Sequence, residues 1–410
     1  MKYTLHVLFA LMFCTYSFYD KTNPVKPTKV DALNKSGYAF NVKVSQINSN
    51  YSEIASAMFR NKLVIVSSKK IGAIGSGIDP KTKEPYTDLF CLDVKGTNSF
   101  SQPFLFSRIL NTKGNEGQVS FSPDEHTIYY TRSERGSEGN YKMYKANLKR
   151  NSQGKWINET ELSISSDDYS VENPHVSADG KFLFFSSNMK GGYGEFDIYM
   201  ARINKDGTIG SYVNLGDKVN SEKNEKYPFT TDDNKELFFS STGHGSLGGY
   251  DIFISNRRNI VYSEPRNLGR AINSNRDDIA FMIINGETGV FSSNKNRKSQ
   301  KTLAYNMYHV QAEMIYKNLE GIITTEDNER LPNTTVVLLD DEGKEIERQV
   351  TSDDASYHFK LKPYHYYQIV AEKDGYVNYR EELIPNSYSK KSVVKLAQKK
   401  VTLSYTKTKR

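Results

Sequence analysis

Five acidic side chains recur at matching places in this 410-residue chain: Glu53, Glu116, Glu172, Glu225 and Asp277. Each lies 14 or 15 residues before a hydroxyl residue that closes an apolar stretch, at Ser67, Thr131, Ser186, Ser240 and Ser292. Carboxylates gathered at one place repel one another and hold their protons more tightly unless a positive charge neutralises them. A ring of five would therefore suit a cation or a charged ligand, whereas the structural reading pairs each with a neighbouring Lys, Arg or backbone group. Two further acidic sets repeat. Asp124, Asp179 (followed by Gly180) and Asp233 lie at or beside a tight turn, where Asp bonds its own backbone. Asp88, Asp197 and Asp251 each precede an apolar stretch, and both sets are expected to cap turns and strands.

Other chemistry is not spelled out. The seven histidines are scattered, and none pairs with another at metal-ligand spacing. No Ser-centred elbow, P-loop or dinucleotide fingerprint appears in a suitable context. The glycine clusters Gly191-Gly192 and Gly245–Gly249 fall in turns between strands, not ahead of helices where phosphate binds. No catalytic residue, metal site or cofactor is assigned.

The acidic positions belong to a repeat. The stretch VENPHVSADGKFLFFSS (171–187), continued by GGYGEFDIYMARI, reads as strand, tight turn, strand, Gly-rich turn and third strand. A second copy spans Asn224 to Arg257, a third Asn115–Ser133 with Tyr141–Leu148, and degenerate ones Ser52–Ser68 and Asp277–Ser293. The anchors step by 64, 55, 54 and 52 residues, a strand-only period that indicates a propeller. A fourth strand is suggested by the near-copies YVNLGDKVNS (212–221) and EPRNLGRAINS (264–274), and weakly around Phe100–Leu110 and Trp156–Ile164. The last unit stops at Tyr305–Val310, while an orphan strand, Tyr38–Val44, precedes the first. Ring closure by that strand would leave no open edge. The fold expected is all-β: a five-bladed propeller, alternatively six-bladed if Phe100–Leu110 conceals a blade, followed by a small β-sandwich. In such a ring each blade's first strand lines the channel, which would bring the five carboxylates to one mouth.

The pattern N-E-G/P-x-x-S-P/A-D-G…F-S-S…G-G-Y-D-I-Y/F resembles the WD40-like repeats of TolB-type periplasmic propellers over residues 38–312. That resemblance implies the fold and says little of activity, because propellers host many.

Ahead of the repeats, Lys2, the apolar run Leu8–Phe13 and small or polar residues to Ser17 read as a signal peptide, residues 1–17. The run is too short for a permanent membrane anchor. Cleavage after Ser17 discards Cys14, which follows Phe13 rather than the small residue a lipidation signal wants; lipidation is the alternative. Cys91 is then the remaining thiol, packed rather than reactive. Residues 18–37 read as a linker. Past the propeller, six short strands between Leu319 and Leu383 form a sandwich. The order G-x-I…L-P-N-T-T-V-V-L-L…Y-H-F-K-L…Y-Y-Q-I-V-A-E-K-D-G-Y resembles the carboxypeptidase-regulatory-like domain over residues 317–385, with Ala355-Ser356 where that family usually carries glycine. A basic tail, residues 386–410, holds eight Lys or Arg from Ser389 onward and no acid. Taking those eight from 55 leaves 47 basic against 48 acidic side chains, so the pI near 8.9 gives the folded body no case for nucleic acid.

The domain order resembles periplasmic, outer-membrane-associated proteins of Bacteroidetes, OmpA-family-like but without the OmpA-like domain. It implies a non-enzymatic envelope scaffold or protein-interaction module, periplasmic or peripherally associated with the outer membrane after signal cleavage, serving secretion or gliding machinery. Envelope proteins are the expected partners, with no nucleic acid and no transmembrane helix in the mature chain. The alternatives are a glycan- or peptide-binding propeller and a propeller hydrolase or lyase.

Overall fold

The computed structural model describes residues 31–70, 77–80, 82–96, 99–134, 140–295, 304–385 and 390–396. The expected signal peptide and most of the basic tail lie outside them. Among the described residues all regular structure is β, in five propeller sheets and two sheets of a sandwich.

The runs FLFFSS and ELFFSS show why the strands pack as they do. Successive side chains on a strand point to opposite faces, so an uninterrupted apolar run must be buried on both. Phe184 joins a core shared by blades three and four, while Leu183 and Phe185 join one shared by blades two and three. Phe238 and its neighbours Leu237 and Phe239 divide the same way one blade further on. Five inter-blade cores result, each between adjacent sheets, and each fully buried Phe contributes about 1.5–3 kcal/mol relative to exposure.

Blade one comprises Glu53–Phe59, Lys62–Ser67 and Asp88–Lys95; blade two Asn115–Phe121, Thr127–Ser133, Lys142–Leu148 and Trp156–Glu161. Blade three comprises Val171–Val176, Phe182–Ser187, Asp197–Ile203 and Ile209–Asn214; blade four Glu225–Thr230, Glu236–Ser241 and Asp251–Arg258. Blade five joins Asp278–Asn285, Thr288–Ser293 and Asn306–Met314 to the N-terminal strand Tyr38–Val44, which runs antiparallel with Tyr38 opposite Met314. The ring therefore has five blades. The stretch around Phe100–Leu110 carries only the two-residue strands Ser99–Phe100 and Phe104–Leu105, both paired with the third strand of blade one. Outer strands are equally short in blade four, at Val261–Tyr262 and Arg266–Asn267.

In every blade a side chain completes the pairing of the third strand. Asn220 accepts from the Ile198 N–H at 2.7 Å and donates to its carbonyl at 3.0 Å. Asn273 does the same to Ile252, Asn111 to Leu89, and the Ser165 hydroxyl to Met143. In blade five the service comes from the chain's other end, Asn48 bonding Met307 at 2.8 and 2.9 Å.

Residues 31–37 are not a free tether. Lys35 N–H donates to the Asn267 carbonyl, and the Asp31 carboxylate accepts from the Arg270 N–H. The sandwich packs a three-stranded sheet (Ser356–Leu361, Lys317–Thr325, Lys390–Leu396) on a four-stranded one (Glu345–Val350, Thr335–Asp340, Tyr367–Glu372, Tyr379–Leu383) around Ile323, Leu338, Phe359 and Ile369. Lys390–Leu396 runs parallel to Lys317–Thr325. Part of the basic tail is thus a strand of the sandwich: the segment KKSVVKL carries a β-branched Val pair that favours a strand. The turn at Ala355 takes φ 56° without the expected glycine.

Candidate functional site

Each blade's first strand is tied to the preceding blade by one repeated hydrogen bond. The carbonyl just before or at the start of a third strand accepts from the first strand of the next blade. The pairs are Thr87 with Glu116 N–H, Tyr141 with Val171, Phe196 with Glu225, Tyr250 with Asp278, and Tyr305 with Glu53, at 2.6–3.1 Å. These bonds identify equivalent positions independently of any sequence anchor. Glu53, Glu116, Val171, Glu225 and Asp278 are one such set.

The expected ring of five carboxylates is thereby corrected. Glu53, Glu116 and Glu225 are equivalent, but Glu172 lies one residue after its blade's equivalent position and Asp277 one residue before. A one-residue step turns a strand side chain to the other face, so spacings of 14 and 15 do not converge. In four blades the equivalent carboxylate turns back on its own loop. Glu116 accepts from the N–H and hydroxyl of Thr112, Glu225 from those of Ser221, and Asp278 from those of Ser274; Glu53 accepts from Ser49. All four are buried. Asp278 was missed in the sequence because Asp277 precedes it, though the shared Ser/Thr four residues upstream was there to find.

Asp277 instead accepts from the Tyr250 N–H, the Asn294 amide and the Tyr305 hydroxyl. Glu172 meets Lys226 at 2.9 Å, and the Lys226 ammonium lies 3.6 Å from the centroid of the Phe196 ring. The turn aspartates sit in near-identical geometry: Asp124, Asp179 and Asp233 each accept from a hydroxyl two residues earlier and an N–H two residues later. Gly180 takes φ 70° there. Asp197 accepts from Tyr193 and Gly194 N–H groups and Asn214; Asp251 from Leu247 and Asn267; Asp88 is buried, which pushes its carboxyl up to about 6. Cys91 is buried and its thiol is pushed up to about 12.

A cavity of about 260 Å³ opens at the channel mouth, walled by residues of all five blades. Deeper in, the channel narrows to about 30 Å³ between the first strands. The β-bulges after Glu172 and Lys226 hold Asn173 and Tyr227 in the left-handed region, at φ 52° and 56°, and both line the cavity. A bulge re-aims a side chain in this way. Of the carbonyl set above, Tyr141 and Tyr305 also line the cavity, so the wall combines phenol rings with the acidic groups of Asp79, Glu84, Glu116 and Glu172.

Glu84 Oε2 accepts from Ser52 and Ser68, and Asp79 accepts from Asn115. Glu84 Oε1, Glu116 Oε2 and Asn173 Oδ1 are enclosed and have no hydrogen-bond partner among the described residues. Their residues are only 6%, 0% and 6% exposed. Burial pushes Glu116 up to about 8 despite the Thr112 bonds. Burial, reinforced by Glu172, raises the Tyr141 and Tyr227 phenols further above neutrality. Among the described residues no cluster of three or more His, Cys, Asp or Glu is placed to hold a metal ion.

No protein-family model matches the chain, and no curated protein matches it. Solved structures of similar fold include TolB from Acinetobacter baumannii, at 18% identity over 65% of this chain and 56% of that one, TM-score 0.34. A TolB structure from Agrobacterium tumefaciens shares 14% identity over 52% of this chain and 65% of that one, TM-score 0.32. Zg3597, a family 117 glycoside hydrolase from Zobellia galactanivorans, shares 10% identity over 69% and 92%, TM-score 0.45. The chain spans less than two thirds of either TolB structure. No helix of the described residues is long and apolar enough to cross a membrane.

Proposed function

We propose that this chain is a non-enzymatic protein-interaction module of the cell envelope, docking its partner at the channel mouth. The observation that carries this reading is the mouth cavity, walled by all five blades and lined by Tyr141, Tyr227 and Tyr305 together with the acidic side chains of Asp79, Glu84, Glu116 and Glu172. The signal-like leader and the resemblance to periplasmic propellers support an envelope location, outer-membrane association included. The carboxypeptidase-regulatory-like sandwich serves as a second module of the same scaffold.

Hydrolysis of a glycan is the second reading, and Glu116 favours it: a carboxyl held up to about 8 keeps its proton at neutral pH, as a general acid must. Such chemistry also needs a second carboxylate free to act as base or nucleophile. Glu172 is engaged by Lys226, and Glu84 and Asp79 are already hydrogen-bonded, which supports binding over catalysis.

Thr82 is exposed and lines the mouth, so Thr82→Trp fills the opening without touching the core. Tagged wild type recovered from its native envelope is expected to enrich a protein that the variant loses. Equal recovery by both, or turnover of chromogenic glycosides by the wild type, overturns the proposal.

A further inference from the structure

The sandwich docks against blade four at the end of the channel away from the mouth. The first strands of blades two, three and four start at the mouth and run down to the turns of Asp124, Asp179 and Asp233. The last of these turns meets the sandwich: Lys362 lies 3.8 Å from Asp233, and Lys235 pairs with Asp340 and Asp341. Beside them, the Arg266 guanidinium lies 3.9 Å from the centroid of the Tyr364 ring and that of Arg258 4.6 Å from Tyr366. Ile315 and Tyr316 alone link the last propeller strand to the first sandwich strand, and the Ile315 N–H donates to the Gly37 carbonyl at 2.9 Å.

At the centre of this interface three distant parts of the chain meet. Glu236 opens the second strand of blade four, Tyr38 opens the closing strand, and His365 belongs to a sandwich loop; all three are buried. The Tyr38 hydroxyl donates to Glu236 Oε2 at 2.5 Å, and His365 Nε2 lies 3.9 Å from Glu236 Oε1. On the other side of the ring, Nδ1 is 3.0 Å from the Pro363 carbonyl, nearer than the Asn256 amide at 3.5 Å. A carbonyl only accepts, so Nδ1 carries the proton of the neutral ring. Nε2 is then a bare acceptor facing a carboxylate, with no hydrogen-bond partner among the described residues. Two buried acceptors face to face are costly, and one added proton turns them into a charge-assisted hydrogen bond. A proton is a partner small enough for this enclosed gap.

We propose that Glu236 and His365 form a proton-operated latch, which shares one added proton while the sandwich is docked and loosens the sandwich from the propeller when that proton is lost. Burial raises the Glu236 carboxyl, against the opposing effects of His365 and the Tyr38 hydroxyl, and so favours a proton on the pair. Facing the pair from the surrounding elements are Asp233, Lys362, Arg266 and the Tyr367 hydroxyl. Of these, Lys362 sits against Asp233, and Arg266 bonds Asn256 and Ser263. Separated in water, an imidazole releases its proton at about pH 6.5. Docking therefore binds a proton and weakens as pH rises above that value. Lys362 also walls a cavity of about 230 Å³ with Tyr38, Asp233 and Glu236, so release of the sandwich opens the far end of the channel.

The test is hydrogen–deuterium exchange of the full chain between pH 6 and 9, with each rate corrected for the intrinsic pH dependence of exchange. Protection of the Ile315 amide is expected to fall at least about 5-fold over this range, while the core segment 182–187 stays unchanged. Glu236→Gln is expected to keep the pH 6 protection at pH 9, because its amide donates to Nε2 and its oxygen still accepts from Tyr38. His365→Gln donates to Glu236 without an added proton and is expected to be equally flat, so either variant decides if the other fails to fold. Asp233→Asn is expected to keep the wild-type slope. A pH-independent wild type overturns the proposal, as does a slope that survives in Glu236→Gln or His365→Gln. A slope abolished by Asp233→Asn alone assigns the effect to the Lys362 pair and overturns the latch.

Discussion

The Tyr305 carbonyl accepts a hydrogen bond from the Glu53 N–H at 2.9 Å, across 252 residues of sequence. It is the same bond that links each earlier blade to the next, here joining the last blade to the first. Around it, Ile47, Ala55 and Leu63 share a core with Met282, Val290 and Met307. The ring is closed by the inter-blade contacts that hold it elsewhere, with Tyr38–Val44 supplying the missing outer strand.

Asn48 is the side-chain clasp of that closure. Asn48→Ala leaves the N–H and carbonyl of buried Met307 without these partners, a loss of about 1–3 kcal/mol. Asn273→Ala, the equivalent within a continuous blade, should cost a similar amount. Urea unfolding measures both, and a change below about 0.3 kcal/mol for Asn48→Ala would mean the closure does not depend on the clasp.

Glu116 gives stability a pH dependence of defined sign. Its folded value, about 8, lies above the ordinary 4.5, so the folded state holds the proton more tightly than the unfolded one. Its favourable contribution is complete below about 4.5 and is lost as pH rises through about 8. Asp88 and Asp278, both pushed up to about 6 by burial, act in the same direction at lower pH. Glu116→Gln is therefore expected to raise Tm relative to wild type at pH 8 and to change it little at pH 5. An unchanged difference between the two pH values would refute the assignment.

His175 should remain neutral well into acid. Thr230 N–H donates to its Nε2 at 2.9 Å, which requires the Nδ1–H tautomer, and burial pushes the imidazole down to about 3. A base with a depressed folded value contributes stability above 6.5 that is lost as pH falls toward 3. Nitrogen chemical shifts of the labelled imidazole are expected to show no titration between pH 7 and 5; a midpoint near 6.5 would contradict the buried bond.

Truncation after Pro385 removes the parallel strand Lys390–Leu396 and exposes the backbone edge of Lys317–Thr325. A solvated tail could be cut without consequence. Removal of this strand is expected to lower the Tm of the sandwich by several degrees in scanning calorimetry, whereas truncation after Leu396 serves as the control with an intact strand.

The sequence by itself determined the architecture, because a propeller is written in local signals repeated many times. The runs FLFFSS and ELFFSS demand burial on both faces, Asp179-Gly180 dictates its turn, and the recurrence at about 54 residues leaves a stack of like sheets. An unfinished last unit and an orphan first strand together specified closure. The site was less legible. Glu53, Glu116, Glu172, Glu225 and Asp277 look equivalent when counted from their anchors, yet a strand alternates faces every residue, and the bulges and loops that absorb one residue are invisible in the count. Only the pairing of strands across blades decided that Asp278, not Asp277, is the fourth structural carboxylate, and that Glu172 is free to meet Lys226. Glu84 and Asn173 joined Glu116 at the mouth for the same reason. Their proximity comes from three different blades, and no spacing within one chain segment encodes a distance that exists only once neighbouring blades have packed.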